Sequence, residues 1–317
     1  MTGQGRGAPT PGAGGSLVAV VLHFRLPEQT DLAVRSLLAS RRPLDRILVV
    51  DNDPERRFEL PPGLAGVAVE LLRNPANLGF SGGMNVGVRE ALRGGASSVL
   101  LVNNDALVPP ECIAALERAL AARPEAGLAA PVLLSRHRPQ IVASAGVTYA
   151  PAWGRVRQLG FGSSLEQLRP AAWREFPAVN GCVVLVRRET LESAGLLDEE
   201  FFFSFEDLEF CLRAARSGWR AGIVGDAFVY HLGSATLEAG APARFYYGTR
   251  NQLLAVERAA GRSSRLRSTA VVALNLLHAL RSPHGALAAR WAATWRGVHD
   301  YRRRSFGPLR DSATTSS

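Results

Sequence analysis

A chain of 317 residues with 47% hydrophobic content can bury a large core, which excludes a disordered or fibrous protein. Its 37 basic residues, all arginine, outnumber 28 acids for a net charge of +9, but no zinc-finger spacing, aromatic RNP-type box or dense early basic run accompanies them, which disfavours a nucleic-acid module. Cys112, Cys182 and Cys211 are odd in number and far apart, which argues against a disulfide framework or a cysteine zinc site and suits a reduced, cytoplasmic compartment.

The first 16 residues, "MTGQGRGAPTPGAGGS", are Gly/Pro-rich and read as a disordered tail. "LVAVVLHF" is too short for a signal segment and reads as a buried strand. Then follow the helix "EQTDLAVRSLLAS", the strands "RILVVD" and "VAVELLR", the helix "SGGMNVGVREALR", the strand "SSVLLVNND", the helix "PPECIAALERALAA" and the strand "GLAAPVLL". Short apolar runs alternating with helices of about a dozen residues imply a parallel sheet covered on both faces, with ligands beyond the carboxyl ends of its strands. Residues 135 to 178 read as a hairpin and loops. "AVNGCVVLVRRETLESAGLLDEE" gives a strand and a helix, "EDLEFCLRAARSG" a further helix, and "WRAGIVGDAFVYH" a last strand pair. Residues 244 to 310 hold 13 arginines against two acids, Glu257 and Asp300, and read as two or three helices; residues 311 to 317 read as a second disordered tail. No run reaches the roughly 18 apolar residues of a membrane span.

The polar residues at strand ends carry the chemistry. Asp51 can accept a base N–H or hold a ribose hydroxyl, or it can form an Asx turn. Asn74 and Asn77 follow the next strand. Asn103, Asn104 and Asp105 end another, where an acid suits a divalent cation beside a diphosphate; short polar residues also make ordinary turns there. His231 ends "AFVYH", as a packed histidine or as a nitrogen ligand delivered to the rim that carries Asp105. "NLGFSGGMNVGV" places glycines 79, 82, 83 and 87 at a helix start, for close approach to a nucleotide or for packing. It matches neither a phosphate-binding P-loop nor the dinucleotide fingerprint. "FFFSFEDLEF" sets Glu206, Asp207 and Glu209 among five phenylalanines. Acids favour a helix start, and apolar surroundings raise a carboxylate's pKa and basicity.

In their order, "VVDN", "NLGFSGGMNVG", "LLVNND", "GCVVLVRRETLESAGLLDEEFFFSFEDLEFCLRAARSGWR", "VYH" and "FYYGTRNQ" resemble the family 2 inverting glycosyltransferases of bacterial surface-polysaccharide synthesis, rhamnosyltransferase-like branch, over residues 17 to 255. The resemblance implies a GT-A fold, an α/β architecture with a mixed sheet flanked by helices, spanning 17–243 and followed by a basic helical extension, 244–310. It implies a nucleotide-sugar donor, with dTDP-L-rhamnose ahead of a UDP- or GDP-hexose or a galactofuranose donor. A divalent metal, Mg2+ or Mn2+, and a glycan or polyprenyl-linked acceptor complete the expected partners.

Carried over by residue, Asp207 is the catalytic base, with Glu206, Glu209 and Gly181 as supporting or acceptor-contacting residues. Asp51, Asn74, Asn77, Gly79, Asn103, Asn104 and Asp105 bind the donor. Asp105 and His231 hold the metal, although Asn103 stands where the stricter metal-binding pattern has Asp. Arg250 and Asn251 belong to a recurrent segment that chemistry alone leaves without a role. A glycoside hydrolase would need its two carboxylates facing each other across a sugar, which adjacent Glu206 and Asp207 do not supply. The arginine-rich helices within 262–310 suit either peripheral contact with an anionic membrane at its cytoplasmic face or a homodimer surface.

Overall fold

The computed structural model describes residues 15–55, 57–64, 68–233, 241–260 and 265–309. Both expected disordered tails, apart from residues 15 and 16, lie outside these. In chain order the elements are β1 (Leu17–His23), α1 (Pro27–Leu38), β2 (Arg46–Asp51), β3 (Val69–Arg73), α2 (Gly79–Arg93) and β4 (Ser98–Asn103). Next come β5 (Ala106–Leu107), α3 (Cys112–Ala121), β6 (Ala126–Ser135), β7 (Val142–Ser144), β8 (Val147–Ala150), β9 (Arg155–Gln158) and α4 (Leu165–Leu168). After them the chain forms β10 (Arg174–Phe176), β11 (Val183–Arg187), α5 (Arg188–Ala194), α6 (Glu206–Arg216) and β12 (Arg220–His231). Helices α7 (Pro242–Ala260), α8 (Arg265–Arg281) and α9 (Leu287–Arg302) close the described chain.

The main sheet runs β10-β12-β6-β11-β4-β1-β2-β3, with β5 paired to β12 and β7 to β6. Strands β1 to β4 are mutually parallel neighbours, whereas β11 is antiparallel to both β4 and β6. The sheet is therefore mixed. β8 and β9 form a separate antiparallel hairpin, as expected for that region. Strand alternation builds two cores. Val18, Val20 and Leu22 of β1 pack with Val50, Met84 and Val88 on one face, and Leu17, Ala19 and Val21 pack with Val34, Ile113 and Leu116 on the other.

The glycines of α2 are chiefly packing devices. A Cβ on Gly87 would lie 2.3 Å from Val20 Cγ1, and one on Gly83 2.6 Å from Leu22 Cδ1, so their absence lets α2 settle onto β1 and β2. The expected pair "WRAGIVGDAFVYH" is instead the single strand β12, which shifts register on β6 between Val224 and Phe228. The shift accommodates the neighbouring chain, because a Cβ on Gly225 would sit 2.1 Å from the Ala171 carbonyl oxygen. The three C-terminal helices are joined to the sheet domain through a small aromatic core of Phe202, Phe245, Tyr246 and Tyr247.

Candidate active site

A cavity of about 600 Å3 opens where β1, β4 and β12 end and α2 and α6 begin. It brings together Asn77, Gly79, Asn103, Asn104 and Asp105 from the donor set expected in the sequence. Gly181, Glu206, Asp207 and His231 also line it.

Backbone pairing explains the meeting of Asp105 and His231. β5 runs antiparallel to the end of β12, with His231 opposite Ala106, so the residue before β5 faces the last residue of β12. His231 Nε2 and Asp105 Oδ1 stand 3.1 Å apart. Burial works against the charged imidazole, but Cys182 and the Asp105 carboxylate outweigh it, and the His231 pKa is raised. Asn103 Oδ1 is buried without a hydrogen-bond partner at this rim. Carboxylate oxygen, imidazole nitrogen and amide oxygen are donors that Mg2+ or Mn2+ accepts. Among the described residues no group of three or more His, Cys, Asp and Glu could enclose an ion. The residues fit a cation held partly by substrate oxygens rather than a closed protein cage.

Asp207 enters from the start of α6. The Gly181 N–H donates to its Oδ2 at 3.1 Å and the Leu208 N–H to its Oδ1 at 2.7 Å. A Cβ at position 181 would lie 3.1 Å from Asp207 Cβ, a tight contact that would press on the Asp207 side chain, so glycine here leaves Asp207 room to approach the backbone. Burial raises the Asp207 pKa against the pull of the two N–H groups. Glu206 is 8% exposed, and its Oε2 has no hydrogen-bond partner. Burial first, and the Asp207 charge second, raise the Glu206 pKa as well.

Three expected site residues are not brought to the cavity. Asp51 is fully buried behind it and accepts from the N–H groups of Asp53 and Phe58 and from Arg73 Nη1 at 3.1 Å. It organises the chain after β2 instead of facing a base. Asn74 donates to Asn52 Oδ1 at 3.0 Å and is likewise one step removed. Glu209 is 5% exposed and bound by Arg213, whose guanidinium also reaches the Leu196 carbonyl oxygen, so it ties α6 to the end of α5. Asp51→Ala is accordingly expected to lower stability by about 1–3 kcal/mol in chemical denaturation, with nucleoside diphosphate affinity changed less than about threefold. A loss of affinity without a loss of stability would restore Asp51 to the nucleotide pocket.

Sequence reasoning missed Asn52, Arg25 and Tyr247, all of which line the cavity. Asn52 donates to Asn77 Oδ1 at 3.1 Å and to the Gly79 carbonyl oxygen at 2.9 Å, fixing the turn into α2. Its signal was available in "VVDND", because adjacent residues in extended chain face opposite ways and Asp51 faces inward. Arg25 follows β1 and was open to the same strand-end rule applied to β2, β3 and β4.

Comparison with known proteins agrees with this architecture. The family model described as "Glycosyltransferase like family 2" matches residues 17–245. The dTDP-rhamnosyl transferase RfbF of Shigella flexneri is 25% identical over 221 residues, 67% of this chain and 71% of that protein. The galactofuranosyltransferase GlfT1 of Mycobacterium tuberculosis is 28% identical over 223 residues, 68% of this chain and 70% of that protein. Among solved structures, GalNAc-T7 with UDP, GalNAc and Mn2+ superimposes with a TM-score of 0.62 at 15% identity, covering 92% of this chain and 56% of that one. The mannosyltransferase PcManGT of Pyrobaculum calidifontis, with GDP-Man and Mn2+, gives 0.51 at 18% identity, covering 94% and 85%. At these identities the structural likeness establishes the GT-A fold, and the family match over most of the chain establishes the rest: the protein belongs to the family 2 glycosyltransferases.

Proposed function

We propose that this glycosyltransferase is inverting and metal-dependent, and that Asp207 is its base. The observation that carries the reading is the placement of Asp207, a carboxylate of raised pKa held by two backbone N–H groups, in the same cavity as the Asp105–His231 pair. Asp207 takes the proton of an acceptor hydroxyl as that oxygen bonds to the anomeric carbon, and the bond from that carbon to the diphosphate oxygen breaks with its electrons on the leaving group. Attack and departure on opposite faces invert the configuration. Asp105 and His231, with Asn103 beside them, would hold Mg2+ or Mn2+, which when bound neutralises charge on the leaving diphosphate. Asn77, Gly79 and Asn104 line the donor side.

The relatives make dTDP-L-rhamnose the first donor to test and a galactofuranose donor its rival; UDP- and GDP-hexoses follow. Purified protein with Mn2+ and each donor, read as released nucleoside diphosphate and as the product's anomeric configuration, separates them. Turnover with a retained configuration would overturn the inverting reading. A second measurement isolates the metal residues. Mn2+ is expected to raise the melting temperature of the wild type in the presence of dTDP or UDP, and to lose that effect in Asp105→Ala; equal shifts in both proteins would remove Asp105 from the metal site.

The acceptor in this reading is a glycan or a polyprenyl-linked sugar of bacterial surface polysaccharide, met at the cytoplasmic face of the membrane. Support comes from α8 and α9. Leu287, Trp291 and Trp295 recur every four residues on α9, exposed, and Leu266, Leu277 and Leu280 are exposed on α8. Arg281, Arg302 and Arg303 are exposed on the same two helices or immediately after them. Apolar side chains in a cationic setting suit an anionic leaflet. No helix among the described residues is long and apolar enough to cross a membrane. Co-sedimentation with vesicles containing anionic lipid, weakened at least tenfold in Trp291→Ser/Trp295→Ser, is expected; unchanged binding would favour the homodimer surface.

A further inference from the structure

The turn that delivers Asp207 is strained and lacks a cap of its own. Phe202, Ser204 and Phe205 have φ of +53°, +72° and +73°, left-handed values that favour glycine, and none of the three is glycine. Phe205 occupies the N-cap position of α6 and makes no side-chain capping bond. Such a turn persists only where its surroundings impose it.

What imposes it is one face of α7, through residues that follow the end of the family match at residue 245. Asn251 is fully buried, and its amide nitrogen lies 2.5 Å from the Phe201 carbonyl oxygen, 2.6 Å from that of Phe203 and 2.9 Å from that of Ser204. Arg250 is also fully buried. Its Nε donates to Asn251 Oδ1 at 2.9 Å, which orients the amide, and its Nη2 donates to the Phe201 carbonyl oxygen at 3.3 Å. Its Nη1 donates to the Gly307 carbonyl oxygen at 2.7 Å, and the rings of Tyr246, Tyr247 and Phe306 surround the guanidinium within 5.8 Å. Two helical turns on, Arg258 binds Asp198 and Glu200 just before the turn. The segment after α9 completes the assembly, since the Leu309 N–H donates to Tyr247 Oη at 2.7 Å and both residues line the cavity.

We propose that Arg250 and Asn251 are positioning residues: they hold the 201–205 turn in its left-handed form and so aim Asp207 at the acceptor hydroxyl. The proposal rests on the reading of Asp207 as the base. The pair touches no reacting atom. Its effect passes through three backbone carbonyls, and an error of about 1 Å at a base is worth about 100-fold in rate.

The test uses the full chain carrying Asn251→Ala, with Arg250→Lys as a second variant that keeps the charge and loses the planar fork. Amide hydrogen exchange is expected to rise within residues 201–207 and to stay unchanged in β1 to β4. kcat is expected to fall about 100-fold, while dTDP or UDP affinity stays within about threefold. If Asn251→Ala does not fold, Arg250→Lys carries the same readouts. Unchanged exchange in the turn overturns the clamp; raised exchange with unchanged kcat overturns its positioning role. Asp207→Asn is assayed alongside: if it retains full activity the base reading fails, while the exchange data still judge the clamp.

Discussion

Asp207→Asn is expected to lower kcat by about 10²–10⁴, the range a positioned general base supplies, and to leave the fold and nucleoside diphosphate affinity intact. The substitution is nearly isosteric, and an amide oxygen can still accept from the Gly181 or Leu208 N–H groups that hold Asp207. What it removes is the capacity to take a proton. Glu206, although it lines the same cavity, is a poor substitute because burial raises its pKa and favours its protonated form. Loss of rate with unchanged dTDP or UDP binding, measured by isothermal titration calorimetry, would assign the defect to chemistry. Parallel loss of both would mean that Asp207 serves the donor pocket, and residual activity within tenfold of wild type would reject it as the base.

The parts of this site legible in the sequence were those fixed by local pattern. The buried runs of β1, β2 and β4 announce themselves because both faces are covered, and the strand-end rule then places Asn103, Asn104 and Asp105 at the rim. The "ED" pair read correctly as a helix start. Side-chain direction was not legible. Asp51 and Asn52 are adjacent, yet only Asn52 lines the cavity, and choosing between them requires knowing that the Asp53 and Phe58 N–H groups close over Asp51. Glu209 looked like a third acid of the site, but two residues of helix rotation carry it to Arg213. Arg250 and Asn251 stood out only as a segment, since their partners are carbonyls about 50 residues earlier in the chain. Main-chain acceptors leave no trace in side-chain identity. The single strand β12 was misread as a pair because Gly225 and Asp226 mimic a turn, whereas the chain there bends without reversing.

The adjacent acids also make stability depend on pH in a direction opposite to the usual carboxylate. Most native acids are stabilised in the charged form and lose that stabilisation on acidification. Glu206 and Asp207 have raised pKa values in the folded protein, Glu206 by burial and then by the Asp207 charge, Asp207 by burial. Between the ordinary carboxylate range near pH 4 and the raised folded values, the unfolded chain has released protons that the folded chain retains. The difference in bound protons, unfolded minus folded, is negative, so unfolding free energy falls as pH rises. Their contribution is fully present below the unfolded pKa and is lost as pH climbs through the folded values.

Glu206→Gln removes the titrating carboxyl beside Asp207. From about pH 5 to pH 8, the melting temperature of the wild type is expected to fall relative to Glu206→Gln by about 1–2 °C, equivalent to about 1 kcal/mol. Taking the difference between the two proteins cancels titrations elsewhere, and a constant offset for the amide leaves the slope untouched. Parallel melting curves across that range would mean that Glu206 titrates as an ordinary carboxylate. A wild-type curve that falls relative to the variant would show instead that Glu206 keeps its proton toward neutral pH. The two N–H groups that hold Asp207 then favour leaving the charge on the residue that needs it to act as a base.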